Sequence, residues 1–134
     1  LNEPSDGSAR GGEAPYRRRF VRVASEFSVS YSREGGDDSK QGQSADIGGG
    51  GVRVATDEDL PLGAVLMLRF RVPNSEREMV ARGRIVLSFY NAEEQRYFHG
   101  ISFTHIDPRD QEEIIRYVAT EVQRLALESE TASD

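Results

Sequence analysis

Residues 64–106 read AVLMLRFRVPNSEREMVARGRIVLSFYNAEEQRYFHGISFTHI, and this run decides the fold class. Leu66, Leu68, Phe70 and Val72 fall on one face of a strand over Ala64–Val72. Ala81, Gly83, Ile85, Leu87 and Phe89 fall on one face of a longer strand over Glu78–Tyr90. Phe98–Ile106 makes a third. Alternation of apolar and polar residues with period two is the pattern of a half-buried strand. Pro73-Asn74-Ser75 and Asn91–Arg96 supply turn-forming residues between the runs.

The same pattern continues upstream. Val21, Val23, Phe27, Val29 and Tyr31 alternate with polar residues, which predicts one strand of about ten residues. Arg33–Gln43 is charge and turn-formers and is expected to be a loop. Ser44–Ile47 leads into four glycines, Gly48–Gly51, and Val52-Arg53-Val54 resumes the alternation. Short strands at this spacing, joined by short turns, predict a mainly β chain whose antiparallel sheet closes towards a barrel.

Downstream the period changes. Asp107-Pro108 is an N-cap followed by proline at the first helical position, with Asp110, Glu112 and Glu113 in the first turns. Ile114, Ile115, Val118, Val122 and Leu125 recur at helical spacing, so a helix of about eighteen residues is expected to lie across the barrel with this stripe inward. Residues 1–15 and 128–134 have almost nothing to bury and are expected to be a disordered lead-in and tail. One domain over residues 16–127 is expected between them.

Composition narrows the function classes. The chain has 134 residues, no cysteine and a formal net charge of −6. Without cysteine there is no disulfide, thiolate chemistry or cysteine-ligated zinc, which fits a reducing, cytoplasmic setting. No apolar run approaches the roughly 18 residues of a membrane span, and the first residues lack a secretory pattern. No membrane insertion is therefore expected. An acidic balance argues against sequence-blind DNA binding, which needs a basic face. A local pocket for a small anion needs only a few arginines.

Those arginines are present. Tyr16-Arg17-Arg18-Arg19-Phe20-Val21-Arg22 places four of them in six positions, against the global charge. Arg18 and Arg22 are four apart at the entry to the first strand, where both can reach over one barrel rim. Arginine presents a planar, permanently charged fork suited to phosphate and to the acceptor edge of guanine. The other reading is a solubilising basic stretch. Asp46-Ile47-Gly48-Gly49-Gly50-Gly51 is the second candidate: glycines allow a tight turn and close approach of a ligand, and Asp46 can accept from guanine N–H groups. A plain hairpin turn capped by Asp46 is the alternative. No Lys-Ser or Lys-Thr follows, which excludes a nucleotide-triphosphate P-loop. The spacing and the missing helix exclude a dinucleotide fingerprint.

Arg18-x-x-x-Arg22, then a strand and a loop, then Asp46-x-Gly48-x-x-Gly51, resembles the PilZ domain. That family's signature is Arg-x-x-x-Arg followed by Asp/Asn-x-Ser-x-x-Gly. His99-Gly100-Ile101-Ser102-Phe103 feeding a closing helix also resembles its ending, so the likeness spans Tyr16–Leu127. The resemblance implies a six-stranded antiparallel β-barrel with a C-terminal helix packed on it. It also implies a non-catalytic receptor for the bacterial second messenger cyclic di-GMP, which passes the signal to a downstream protein by changing shape. Carried over by position, Arg18 and Arg22 would grip phosphate and the guanine edge. Asp46 would hold guanine N–H groups, and Gly51 would keep the turn open. Arg17 would be a further contact, at a place associated with a stacked ligand dimer. From the residues themselves, Arg19 adds a donor and Tyr16 could stack on a purine. The departure is Gly48, which stands where the family has serine. The missing hydroxyl is worth about 0.5–1.5 kcal/mol, or up to about tenfold in affinity. Binding is expected to be weakened but kept, since each bidentate arginine contact is worth about 1–3 kcal/mol, and Gly48→Ser is expected to tighten it. Two alternatives accompany this reading: a PilZ-fold interaction module with weak or no nucleotide binding, and a small barrel that binds single-stranded RNA.

Other residues point less far. His99 and His105 are six apart, which puts both on one face of a regular strand, but a metal site would need a third ligand. Neither has a legible nucleophile or acid partner, so no enzyme is expected. Asp57-Glu58-Asp59 lacks the rest of a calcium loop. Phe20 could be core or could stack on a purine.

Overall fold

The computed structural model describes residues 20–36 and 38–132. The expected lead-in, with Tyr16, Arg17, Arg18 and Arg19, lies outside the described residues, as do residues 133–134 of the expected tail.

Among the described residues, seven strands and one helix follow in order: β1 (Arg22–Ala24), β2 (Ser28–Arg33), β3 (Lys40–Gly48), β4 (Gly51–Thr56), β5 (Val65–Phe70), β6 (Met79–Asn91), β7 (Arg96–Ile106) and α1 (Pro108–Ala132). Pairing runs β3-β2-β5-β6-β7-β4, and β4 returns to β3 to close a six-stranded barrel, every neighbour antiparallel. β1 is a seventh, short strand on the same edge of β3 as β2. Full closure leaves the six barrel strands without a free edge.

The expected single strand over Val21–Tyr31 is therefore two, bent at Ser25–Phe27. Ser44, only 2% exposed, pins the bend. Its hydroxyl accepts from the Phe27 N–H at 2.8 Å and donates to the Ser25 carbonyl at 2.6 Å. The loop expected over Arg33–Gln43 is also shorter, because β3 begins at Lys40.

Inside the barrel the alternation holds for Val29, Tyr31, Leu66, Leu68, Phe70, Met79, Ala81 and Ile85, all buried with Ile47, Val52 and Val54. Each such large side chain contributes about 1.5–3 kcal/mol of transfer free energy. Register shifts interrupt it at three places: Ser44/Asp46 in β3, Ile85/Leu87 in β6, and opposite Arg82/Gly83, where Thr104 is the extra residue of β7. A bulge turns every later side chain to the other face. Leu87 and Phe89, expected inward, are thus 44% and 42% exposed, with Ser88 facing in instead. Phe89 stacks on Phe98 at 5.6 Å along the outside of the hairpin.

The capping reading holds: Asp107 Oδ1 accepts from the Arg109 N–H at 2.8 Å, and Pro108 opens the helix. The helix is longer than expected, 25 residues, running through the segment read as a frayed tail. Its stripe is also split. Ile114 and Val118 are buried against the barrel, whereas Ile115, Val122 and Leu125 are exposed: Ile115 sits on the flank of the helix beside Gly49, and Val122 and Leu125 lie in its second half. The first half is fastened by an Arg77–Asp110 ion pair at 2.6 Å, by Ser75 with Glu113, and by Ser25 Oγ to Tyr117 OH at 2.6 Å.

Candidate ligand site

Asp46 reaches the outside of the barrel through the β3 bulge. Gly42 and Ser44 face inward, and simple alternation would place Asp46 with them. The extra residue Ala45 sends Ile47 in and Asp46 out. Across the pairing, Asp46 is opposite Arg53 of β4 on one side and Ala24 of β1 on the other.

Two guanidinium groups converge on this carboxylate. Arg22 donates to Asp46 Oδ1 from Nε at 2.8 Å and from a terminal nitrogen at 2.5 Å, and Arg53 Nε stands 3.4 Å from Oδ2. The arginine side chains remain about 40% exposed (42% and 40%) while Asp46 is 21% exposed. Asp46 thus holds two arginine forks side by side, with their outer edges towards solvent.

Beyond the arginines lies a cavity of about 480 Å³ on the outer barrel face. Arg22 and Arg53 form one wall, the Gly50–Gly51 backbone the floor, and Val86 and Leu87 an apolar wall over Gly100. Phe20 also lines it. Its ring sits on the turn: a Cβ added at Gly49 would come within 2.5 Å of it, and one at Gly50 within 3.1 Å. A larger depression of about 680 Å³ shares Phe20, Gly50 and Ser102 with this cavity and continues past Arg82 and His105.

The glycines are needed for room. None of the four has positive φ, and each would bring a Cβ into contact with a neighbour. A Cβ at Gly51 would sit 2.2 Å from the Ile101 carbonyl oxygen, so β4 can pair with β7 there only without a side chain. The turn is also held in place by hydrogen bonds. The Gly50 carbonyl accepts from the Phe103 N–H and the Gly49 carbonyl from the Gln111 amide, both at 2.9 Å.

Of the sequence candidates, Arg22, Asp46 and Gly51 are brought together. Gly48 is not at the cavity: it pairs with Arg22 of β1, and a Cβ would lie 2.6 Å from the Val21 carbonyl oxygen. The expectation that serine is simply missing here, and that restoring it tightens binding, meets this steric obstacle. Arg53 escaped the sequence reading, although its signal was present. It alternates with inward Val52 and Val54 and so must face out, opposite Asp46 in register.

The histidines separate. His99 is fully buried at 0% exposure. Its Nδ1 lies 2.8 Å from Ser88 Oγ, and its Nε2 3.0 Å from Thr56 Oγ1 and 3.2 Å from the Glu58 carbonyl. Burial pushes its pKa below the ordinary imidazole value, and no substrate reaches the ring. His105 is turned outward by the Thr104 bulge, onto the opposite face. Among the described residues no group of three His, Cys, Asp or Glu is placed to hold a metal, and no helix is long and apolar enough to cross a membrane. Asp57-Glu58-Asp59 also serves locally: Glu58 accepts from Tyr31 OH at 2.7 Å and pairs with Lys40 at 3.1 Å. The tyrosine hydrogen bond holds its carboxyl below the usual range.

A closed six-stranded antiparallel barrel, one terminal helix and a pair of arginines beside a glycine turn define the class. The chain belongs to the PilZ domain family, whose profile matches residues 16–120. Solved structures agree in fold. The inhibitor of motility MotI/DgrA of Bacillus subtilis superposes with a TM-score of 0.73 at 20% identity, over 81% of this chain and 52% of that one. YcgR of Escherichia coli in complex with c-di-GMP gives 0.64 at 12% identity, over 88% and 51%. The MrkH–c-di-GMP complex of K. pneumonia gives 0.60 at 17% identity, over 87% and 55%. The chain spans about half the length of each of these three proteins. None of the curated proteins matches it.

Proposed function

We propose that this chain is a non-catalytic receptor domain that binds cyclic di-GMP at the Arg22–Arg53 cavity. On this reading it acts in the cytoplasm and relays occupancy to a downstream protein by a change of shape. The observation that carries it is the pair of guanidinium forks held by Asp46 on the rim of a cavity with a glycine floor and an apolar wall. One phosphate or guanine edge suits the forks, and a purine face suits Leu87 and Val86. Solved PilZ proteins in complex with c-di-GMP support the ligand class. Arg18 is the natural second clamp, and Arg17 supports a stacked ligand dimer; Arg19 and Tyr16 are further contacts on the same segment.

Asp46 reads differently from a direct base contact. Both its oxygens already face arginine, so its main role is to align Arg22 and Arg53. An ion pair this exposed is worth about 0–1 kcal/mol, against about 1–3 kcal/mol for a bidentate contact to ligand. Ligand therefore outcompetes Asp46 for a fork. The rival reading, an interaction module with little nucleotide binding, is favoured by that same pre-existing pairing.

Calorimetric titration with cyclic di-GMP decides between them. Arg22→Ala and Arg53→Ala are each expected to lower affinity by about tenfold or more, from the lost bidentate contact. Absence of heat at about millimolar ligand, with the circular dichroism of a folded barrel, would overturn the receptor reading.

A further inference from the structure

The second half of α1 leaves the barrel without losing its apolar character. Val122, Leu125 and Leu127 of this half are 42%, 45% and 64% exposed, and on the same flank Ile115 of the first half is 42% and neighbouring Val21 63% exposed. Charges in this half are satisfied within the helix, where Arg124 pairs with both Glu121 and Glu128. Beside the helix runs a groove of about 440 Å³, lined by Phe20, Val21, Gly49, Ile115, Ala119 and Val122. A projecting apolar helix end and an apolar groove next to it are the two halves of one interface.

We propose that this face binds a second copy of the chain, helix against antiparallel helix, about a two-fold axis near Gln123. Two features select a second copy. The stripe Ile115-Ala119-Val122-Ala126 carries no charge, so two acidic chains meet without like charges at the seam and nothing there selects a charged foreign partner. A two-fold interface must be self-complementary, and this one is: the axis carries each projecting end over the other molecule's groove. Alanines at 119 and 126 let the helices approach at the close end of the usual 8–10 Å range. One helix pair plus a groove buries an area near the low end of specific interfaces, about 1,200 Å², so the dimer is expected to dissociate in the micromolar range. The proposal does not depend on the ligand reading.

Sedimentation equilibrium of the full chain from about 5 to 500 μM brackets such an affinity and tests it. Wild type is expected to pass from monomer to dimer across this range. Val122→Glu is expected to stay monomeric, while Thr120→Glu, exposed on another side of α1, dimerises like wild type. Because the chain has no cysteine, single cysteines report the register. Ala119→Cys mixed with Ala126→Cys is expected to oxidise to the mixed disulfide, and Ala119→Cys alone is not expected to link to itself. A monomer at every concentration overturns the proposal, as it would if another segment or another protein covers the groove. A dimer that survives Val122→Glu, or Ala119→Cys linking to itself, overturns it as well.

Discussion

Gly48 and Arg53 show what one side chain decides at this site. Serine at position 48 would need a Cβ that approaches the Val21 carbonyl to 2.6 Å and Arg22 Cγ to 3.0 Å. Overpacking of this kind costs about 1–3 kcal/mol, more than the hydrogen bond a serine could add. Gly48→Ser is therefore expected to lower the urea midpoint and to loosen Arg22 from Asp46, leaving ligand affinity unchanged or weaker. A tighter complex of unchanged stability would show that β1 shifts freely. Asp46 and Arg22 were legible as a pair because two short motifs named them. Arg53 belongs to no motif, and only pairing across β3 and β4 brings it to the same carboxylate.

At the level of elements, the limits of legibility are the bulges. Alternation was read correctly along β5 and along β6 as far as Ile85, because period two is a direct consequence of the pleat. It failed at Leu87, Phe89 and His105, each just past a register shift that a single chain's pattern does not reveal. The bend between β1 and β2 was hidden for a similar reason: Val21, Val23, Phe27, Val29 and Tyr31 keep their period through it. What bends the chain is a hydroxyl seventeen residues after Phe27. Ser44→Ala would leave the Phe27 N–H and the Ser25 carbonyl without that partner, and unpaired buried groups cost about 1–3 kcal/mol. The expected result is a lower urea midpoint with unchanged denaturant slope. An unaltered midpoint would mean that water or a relaxed backbone replaces the serine. The start of the helix is legible in Asp107-Pro108, whereas five apolar residues at one spacing do not say which of them meet the barrel.

For the molecule as a whole, His99 joins three separate parts, with Thr56 of β4, the Glu58 carbonyl of the following loop and Ser88 of β6 around one ring. Its pKa is depressed in the folded state by burial. The unfolded chain therefore takes up the proton first, and stability present above the ordinary value of 6.5 is lost as pH falls below it. Glu58, also depressed, adds a loss of the same sign at more acidic pH. Urea unfolding at about pH 8 and about pH 5 should show the decline, and His99→Gln should flatten its upper part; an identical slope in the variant would assign it to other groups. Phe20 has a last consequence at this scale. One ring lines both the arginine cavity and the groove beside α1. If filling either space moves that ring, the two occupancies become thermodynamically linked. By reciprocity, whatever factor a ligand of the arginine cavity then imposes on self-association, self-association must impose on that ligand's affinity, so the sensitivity of the proposed receptor would be set partly by its own concentration.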